Sequence, residues 1–118
     1  MPTRQIGQPR FDFPKLNPVA AYLDLRIGAA LAEKGAQYMD APLGRTPAHA
    51  KNGKLNIMAA GDLRTYEQVK PVLDVLGENV FHLGDLGAGH TIKLINNFFA
   101  MTTATAMSEA FAMADAAG

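Results

Sequence analysis

Gly84-Asp85-Leu86-Gly87-Ala88-Gly89-His90-Thr91-Ile92-Lys93-Leu94-Ile95-Asn96-Asn97 decides how the rest of this 118-residue chain is read. Three glycines in its first six residues permit a turn and a close backbone approach that a Cβ would block. Past Gly89 no Pro or Gly interrupts the chain, so the pattern predicts one helix to about Ala117. On that helix Lys93, Asn96 and Asn97 share a face, being three and four residues apart. Ile92, Ile95 and Phe99 on one side, and Leu94, Phe98 and Met101 on the other, make the remaining circumference apolar. A helix apolar nearly all round is expected to be buried. A lysine and two amides on it then need partners or a wet cleft, because unpaired buried polar groups are costly. The alternative is a lysine snorkelling to solvent from an early turn. Spacing alone leaves both open.

Working outward, Val80-Phe81-His82-Leu83 reads as a strand entering the glycine turn. Before it, Leu63, Tyr66, Val69, Leu73 and Leu76 form a helical stripe, with Asp62 as its cap, Pro71 as a kink and Gly77 as its stop. Leu55–Ala59 is a strand apolar on both faces, suited to a sheet covered by helices. Pro47–Asn52 should be a short helix, and Tyr38–Leu43 a strand running into a turn at Asp40-Ala41-Pro42. Pro18 can open an earlier helix, with Leu23, Ile27, Ala30 and Leu31 as its apolar stripe and Gly35 as its C-terminal cap. Phe11–Pro18 reads as a short apolar strand fragment broken by Pro14 and Pro18, and Met1–Arg10 as a loose terminus. Strands alternating with helices indicate an α/β layering.

Eleven basic and eleven acidic residues cancel and neither sign clusters, which argues against a nucleic-acid surface or an anionic membrane. Apolar residues at 48% and charged residues at 19% are an ordinary globular balance. Absence of cysteine excludes a disulfide framework and a thiol nucleophile, and fits the cytoplasm. The last helix is too rich in Thr, Ser, Asn and Ala for a membrane span. Gly87-Ala88-Gly89 only mimics a dinucleotide fingerprint, since Ile92 stands where the third glycine belongs. His49, His82 and His90 lack carboxylate or histidine neighbours at ligand spacing, so no metal site is expected; His82 reads as a strand-face residue, and for His90, in the first helical turn, reaching the cleft is the minority reading.

Gly87-Ala88-Gly89-His90-Thr91-Ile92-Lys93-Leu94-Ile95-Asn96-Asn97 resembles the Gly-x-Gly-x-x-x-Lys-x-x-Asn-Asn segment of the β-hydroxyacid dehydrogenases. Asp40-Ala41-Pro42, Gly61-Asp62, Val69–Leu73 and Met107–Ala110 continue the likeness, which runs from about Gly35 to Gly118. The family's Val-Ser-Gly-Gly continuation is replaced by Leu43-Gly44-Arg45-Thr46, similar in its Gly-Arg-Thr turn to the sulfolactaldehyde reductase branch. Pro14 and Lys15 stand where the family has the Ser-Thr turn at the nicotinamide, so no cofactor residue is assigned there.

The resemblance implies an incomplete Rossmann-type fold. Residues 1–86 would be the later part of an NAD(P)-binding domain without its first βαβ unit, and 87–118 the long helix that starts an all-helical domain. It implies reversible hydride transfer between NAD or NADP and a small anionic 3-hydroxyacid or semialdehyde. Lys93 would be the proton donor. Asn96 and Asn97 would contact or orient the substrate, and Gly44 would allow close approach. Arg45 and Thr46 would hold the acid group, as a guanidinium fork suits a carboxylate or sulfonate. Divergence before Pro18 and the missing fingerprint favour a rival reading, a truncated association module. The apolar surface of the last helix predicts that the isolated chain self-associates, and the family resemblance goes with a homo-oligomer.

Overall fold

A computed structural model describes residues 19–118. The predicted strand fragment over Phe11–Pro18, the loose terminus and the helix-opening role of Pro18 lie outside the described residues. Helix α1 spans Val19–Ala32, strand β1 Leu43–Gly44, helix α2 Pro47–Lys51 and strand β2 Leu55–Ala59. Helix α3 covers Leu63–Leu76, strand β3 Gly77–His82 and helix α4 Ala88–Ala117. The sheet order is β1-β2-β3, with β1 antiparallel and β3 parallel to the central β2. The expected α/β layering is present.

The apolar run Leu55–Ala59 makes β2 the core: Leu55, Ile57, Met58 and Ala59 are all buried. Side chains alternate along a strand, so β2 and β3 present two faces. On one, His82 stacks on buried Tyr66 of α3 at 4.7 Å between ring centroids and bonds the Gly61 carbonyl through Nε2 at 2.8 Å. On the other, Asn56, Met58 and Phe81 face the start of α4. Asp62 caps α3 as the sequence indicates, accepting from Thr65 N at 3.0 Å; this bond, ahead of the Thr65 hydroxyl, holds the Asp62 carboxyl below its usual range. α3 passes through Pro71 without a break and enters β3 directly at Gly77, so β3 begins three residues before the predicted Val80.

Two expectations are corrected. The strand predicted over Tyr38–Leu43 shrinks to a single bridge, Asp40 to Ala60, and to the two residues of β1. Pro42 has no N–H to donate and gives only its carbonyl, to Met58 N at 3.0 Å, so a longer ladder cannot form. The α1 stripe is also rotated: Leu23 and Ile27 are exposed, and the inward face is Ala21, Asp24, Gly28 and Leu31. Small residues there bring α1 close to the Leu86-Gly87 segment. The α1 terminus ends as predicted near Gly35, with Ala36 N bonded to Leu31 O and Gly35 N to Ala32 O.

Helix α4 matches its predicted span, but its environment differs from the expected burial. Gly89 is its one buried residue, and Phe98, Phe99 and Phe111 are 76%, 72% and 68% exposed. The helix packs against β2 and α1, and from Leu94 onward all of its residues are exposed. No helix among the described residues is long and apolar enough to cross a membrane.

Candidate active site

The joint that positions the site lies at the first turn of α4. Gly87 takes φ +91°, a left-handed conformation that suits glycine, and its own side cannot cap the helix. Instead Asp40, 2% exposed, reaches across: Oδ1 accepts from Gly87 N at 2.7 Å and Oδ2 from His90 N at 2.8 Å. A carboxylate at a helix N-terminus satisfies orphan donors and meets the favourable end of the dipole. Gly89 makes this possible, because a Cβ there would overlap the Met58 carbonyl and sit 2.6 Å from Asp40 Oδ2.

The histidine ring completes the joint. His90 Nδ1 lies 2.5 Å from Oδ2 of Asp24, which is itself 3% exposed, and 3.6 Å from Asp40 Oδ2. Asp24 Oδ1 accepts from the Tyr38 hydroxyl at 2.9 Å. Burial, then that bond to Asp24, hold the Tyr38 phenol above its usual range. The short contact from Nδ1 ties the His90 ring to the Asp24 carboxyl and closes the joint. This corrects one sequence expectation, since His90 has carboxylate neighbours brought from 50 and 66 residues away; its ring is turned to them, against the minority reading in which it reaches the cleft. Asp24, Asp40 and His90 could geometrically surround an ion. Every carboxylate oxygen of the group already has a protein hydrogen-bonding partner, however, so the cluster is explained as a structural joint.

Three residues past His90, the same helix turns Lys93 over the sheet. Lys93, Asn96, Asn97 and Ala100 of α4 form one wall of a cleft of about 430 Å³. Gly44 and Arg45, four and five residues past Asp40, form another, and Asn56, Met58 and Phe81 its floor. The structure thus brings together Gly44, Arg45, Lys93, Asn96 and Asn97. Thr46 is not among the lining residues; its hydroxyl pairs with His49 Nδ1 at 2.8 Å and starts α2. Among the described residues no ion pair holds Lys93. Asn96 makes only a long contact, 4.0 Å, from Nδ2 to Met58 Sδ.

Arg45 is differently placed from the free anion holder of the sequence reading. Its φ is +77°, and Nη1 donates to the Lys54 carbonyl at 2.9 Å and to Glu78. That hydrogen bond, reinforced by the guanidinium charge, holds the Glu78 carboxyl below its usual range. Sequence reasoning missed Glu78, 33 residues from Arg45, and also Asn56, whose Oδ1 accepts from Asn79 at 2.9 Å. One signal was available for Asn56: it is the single polar residue in an otherwise apolar strand. Glu78 offered none.

The lining carries two cations, three amides and no acid, a composition that suits a small anion with polar substituents. The N-terminus of α4, a common seat for a phosphate, is filled instead by the Asp40 carboxylate.

Residues 19–84 match the family described as the NAD binding domain of 6-phosphogluconate dehydrogenase. The chain is 33% identical over 98 residues to 2-(hydroxymethyl)glutarate dehydrogenase of Eubacterium barkeri, covering 83% of this chain and 33% of that protein. It is 33% identical over 112 residues to 2-hydroxy-3-oxopropionate reductase of Escherichia coli K12, covering 95% and 37%. The crystal structure of 3-hydroxyisobutyrate dehydrogenase from Salmonella typhimurium superposes with a TM-score of 0.73 at 34% identity, covering 83% and 35%. The chain therefore spans about a third of the length of the curated relatives it matches. Matched domain, relatives and fold agree: the chain belongs to the β-hydroxyacid dehydrogenase family and carries part of that family's Rossmann-type NAD-binding domain.

Proposed function

We propose that this segment supplies the substrate-facing wall of an NAD(P)-dependent oxidoreductase acting on a small anionic 3-hydroxyacid or its semialdehyde. One observation carries the reading: the helix bearing Lys93, Asn96 and Asn97 and the turn bearing Gly44 and Arg45 meet on one cleft without an acidic lining residue. A nicotinamide would supply or take the hydride at the carbonyl carbon.

The residues of this chain would do the rest. When the carbonyl is reduced, negative charge grows on its oxygen, and an ammonium within hydrogen-bond reach stabilises it and gives up a proton. Lys93 is assigned that role. Asn97, one turn on, orients the ammonium or the hydroxyl, and Asn96 contacts the substrate's polar substituent. Arg45 keeps Nε and Nη2 for a carboxylate or sulfonate, while Gly44 lets the ligand approach the backbone. Thr46, bonded to His49, supports the turn and leaves the acid group to Arg45. In a full-length protein, residues 1–86 would belong to the nucleotide-binding domain and 87–118 would begin the following helical one.

The test is a rate assay of a full-length protein carrying this segment, with NADH and NADPH against glyoxylate, succinic semialdehyde and sulfolactaldehyde. Turnover that depends on Lys93 supports the reading. No turnover with any of them, from a folded protein that self-associates through α4, would favour the association module instead, which the exposed Phe98, Phe99 and Phe111 make the next candidate.

A further inference from the structure

Glu78 occupies an unusual place in the sheet. The register pairs Leu55 with Gly77 and Asn56 with Asn79, so Glu78 is the extra residue of a bulge in β3. A bulge re-aims the side chain it carries, and here it delivers the carboxylate to Arg45 Nη1. Arg45 is in turn the single non-glycine residue among those described with a positive φ. Two departures from regular backbone therefore converge on one exposed ion pair. Such pairs contribute little to stability, too little to offset a bulky residue in the left-handed region. Their convergence needs another reason, and the cleft provides one.

Without Glu78, the cleft would present two full positive charges, Arg45 and Lys93. We propose that Glu78 sets the charge of the ligand: by neutralising part of Arg45 it leaves the cleft one net positive charge, selecting a singly charged hydroxyacid or aldehyde over a doubly charged one. This inference rests on the anion-binding reading of the cleft and adds its charge class. The geometry permits it, because Glu78 and the Lys54 carbonyl both use Nη1. Nε and Nη2 have no partner among the described residues, which leaves a fork for one carboxylate. A second carboxylate would meet Glu78 as a like charge, a penalty that screening weakens with distance and salt.

The experiment is a titration of the isotope-labelled chain, followed by NMR at low ionic strength, with glycerate and tartronate. These two hydroxyacids are similar in size and differ by one carboxylate. The wild-type chain should bind glycerate at least as well as tartronate, shifting the resonances of Arg45, Lys93 and Asn96. In Glu78→Gln the preference should move toward tartronate by about threefold or more, the scale of one partly screened charge. Asp74→Asn removes an equal charge from the exposed Lys70–Asp74 pair on α3 and should leave the preference unmoved. A preference unchanged in Glu78→Gln, or moved equally by Asp74→Asn, with binding still at the cleft, overturns the role of Glu78 alone. Absence of cleft shifts with either anion in the wild-type chain would remove the anion-binding reading and this proposal with it.

Discussion

Two polar clusters grow from the same two segments, and they are built oppositely. Asp40 and His90, with Asp24 and Tyr38, are close-fitted: both carboxylates are buried and each of their oxygens has a hydrogen-bonding partner. Four or five residues further along the turn, and three along the helix, Arg45 and Lys93 stand in an open cleft, where Arg45 Nη1 is taken by Lys54 and Glu78 but Arg45 Nε and Nη2 and the Lys93 ammonium are uncommitted among the described residues. Burial forces the first cluster to satisfy itself, since a lost hydrogen bond to a buried charge is expensive. Exposure lets the second keep its capacity for a ligand. Cluster chemistry alone would not have separated them, for the joint has the histidine and paired carboxylates usually sought in catalysis. Saturation is the better guide.

The sharpest way to break this contrast is at Lys93. In a full-length enzyme carrying the segment, Lys93→Met should lower turnover by about 10²–10⁴-fold, the usual worth of a positioned acid or base. Stability should change by less than about 0.5 kcal/mol, as for surface substitutions generally. Arginine should not rescue turnover, because a guanidinium stays protonated near neutral pH. Near-native turnover at saturating substrate would place Lys93 with the merely solvated lysines.

Gly89→Val tests the other cluster. Its Cβ would collide with the Met58 carbonyl and with Asp40 and Pro42, backbone and clamped atoms that cannot swing aside. Equilibrium urea unfolding of the chain should show a loss of about 3 kcal/mol or more, or no cooperative transition at all. A loss below about 1 kcal/mol would mean the joint is looser than its bonds indicate.

Arg45→Ala should separate binding from chemistry. It should raise KM by roughly ten- to a hundredfold, the value of a lost charged hydrogen bond, with turnover changed much less. Unaltered KM for both carboxylate and sulfonate substrates would assign Arg45 to its ion pair with Glu78 only.

The smallest effect is expected at Asp62, a saturated group on the surface. Its carboxyl is held below the ordinary value by the Thr65 backbone bond, so its contribution is present above the unfolded pKa. That contribution should fade as pH falls through the lower folded value. Asp62→Ala should therefore unfold at less urea than wild type at neutral pH and converge with it in acid. A constant gap down to acid pH would show that the cap does not act through its charge.

How much was legible in the sequence follows the range of the interactions. Leu55–Ala59, the Asp62 cap and the long helix after Gly87 are written in neighbouring residues, and all three stand as read. The meeting of Gly44, Arg45, Lys93, Asn96 and Asn97 was legible through family resemblance; their separation in sequence hides it from spacing alone. The inward face of α1 was not legible. Its partners Tyr38 and His90 lie 14 and 66 residues from Asp24, and a periodicity argument prefers Leu23 and Ile27 to an aspartate and a glycine. Glu78 was invisible for a similar reason, since a one-residue bulge leaves no mark in composition.

The Asp40 carboxylate has a consequence for precision. It stands on the bridged segment that leads into Gly44 and Arg45, and it grips the turn that continues into Lys93. Both jaws of the cleft are therefore measured from one hinge pin. A displacement at that pin would carry the two jaws together and change the span between guanidinium and ammonium less than either position. On the proposed function, a substrate held at both ends would be gauged by that span and not by the absolute placement of either jaw.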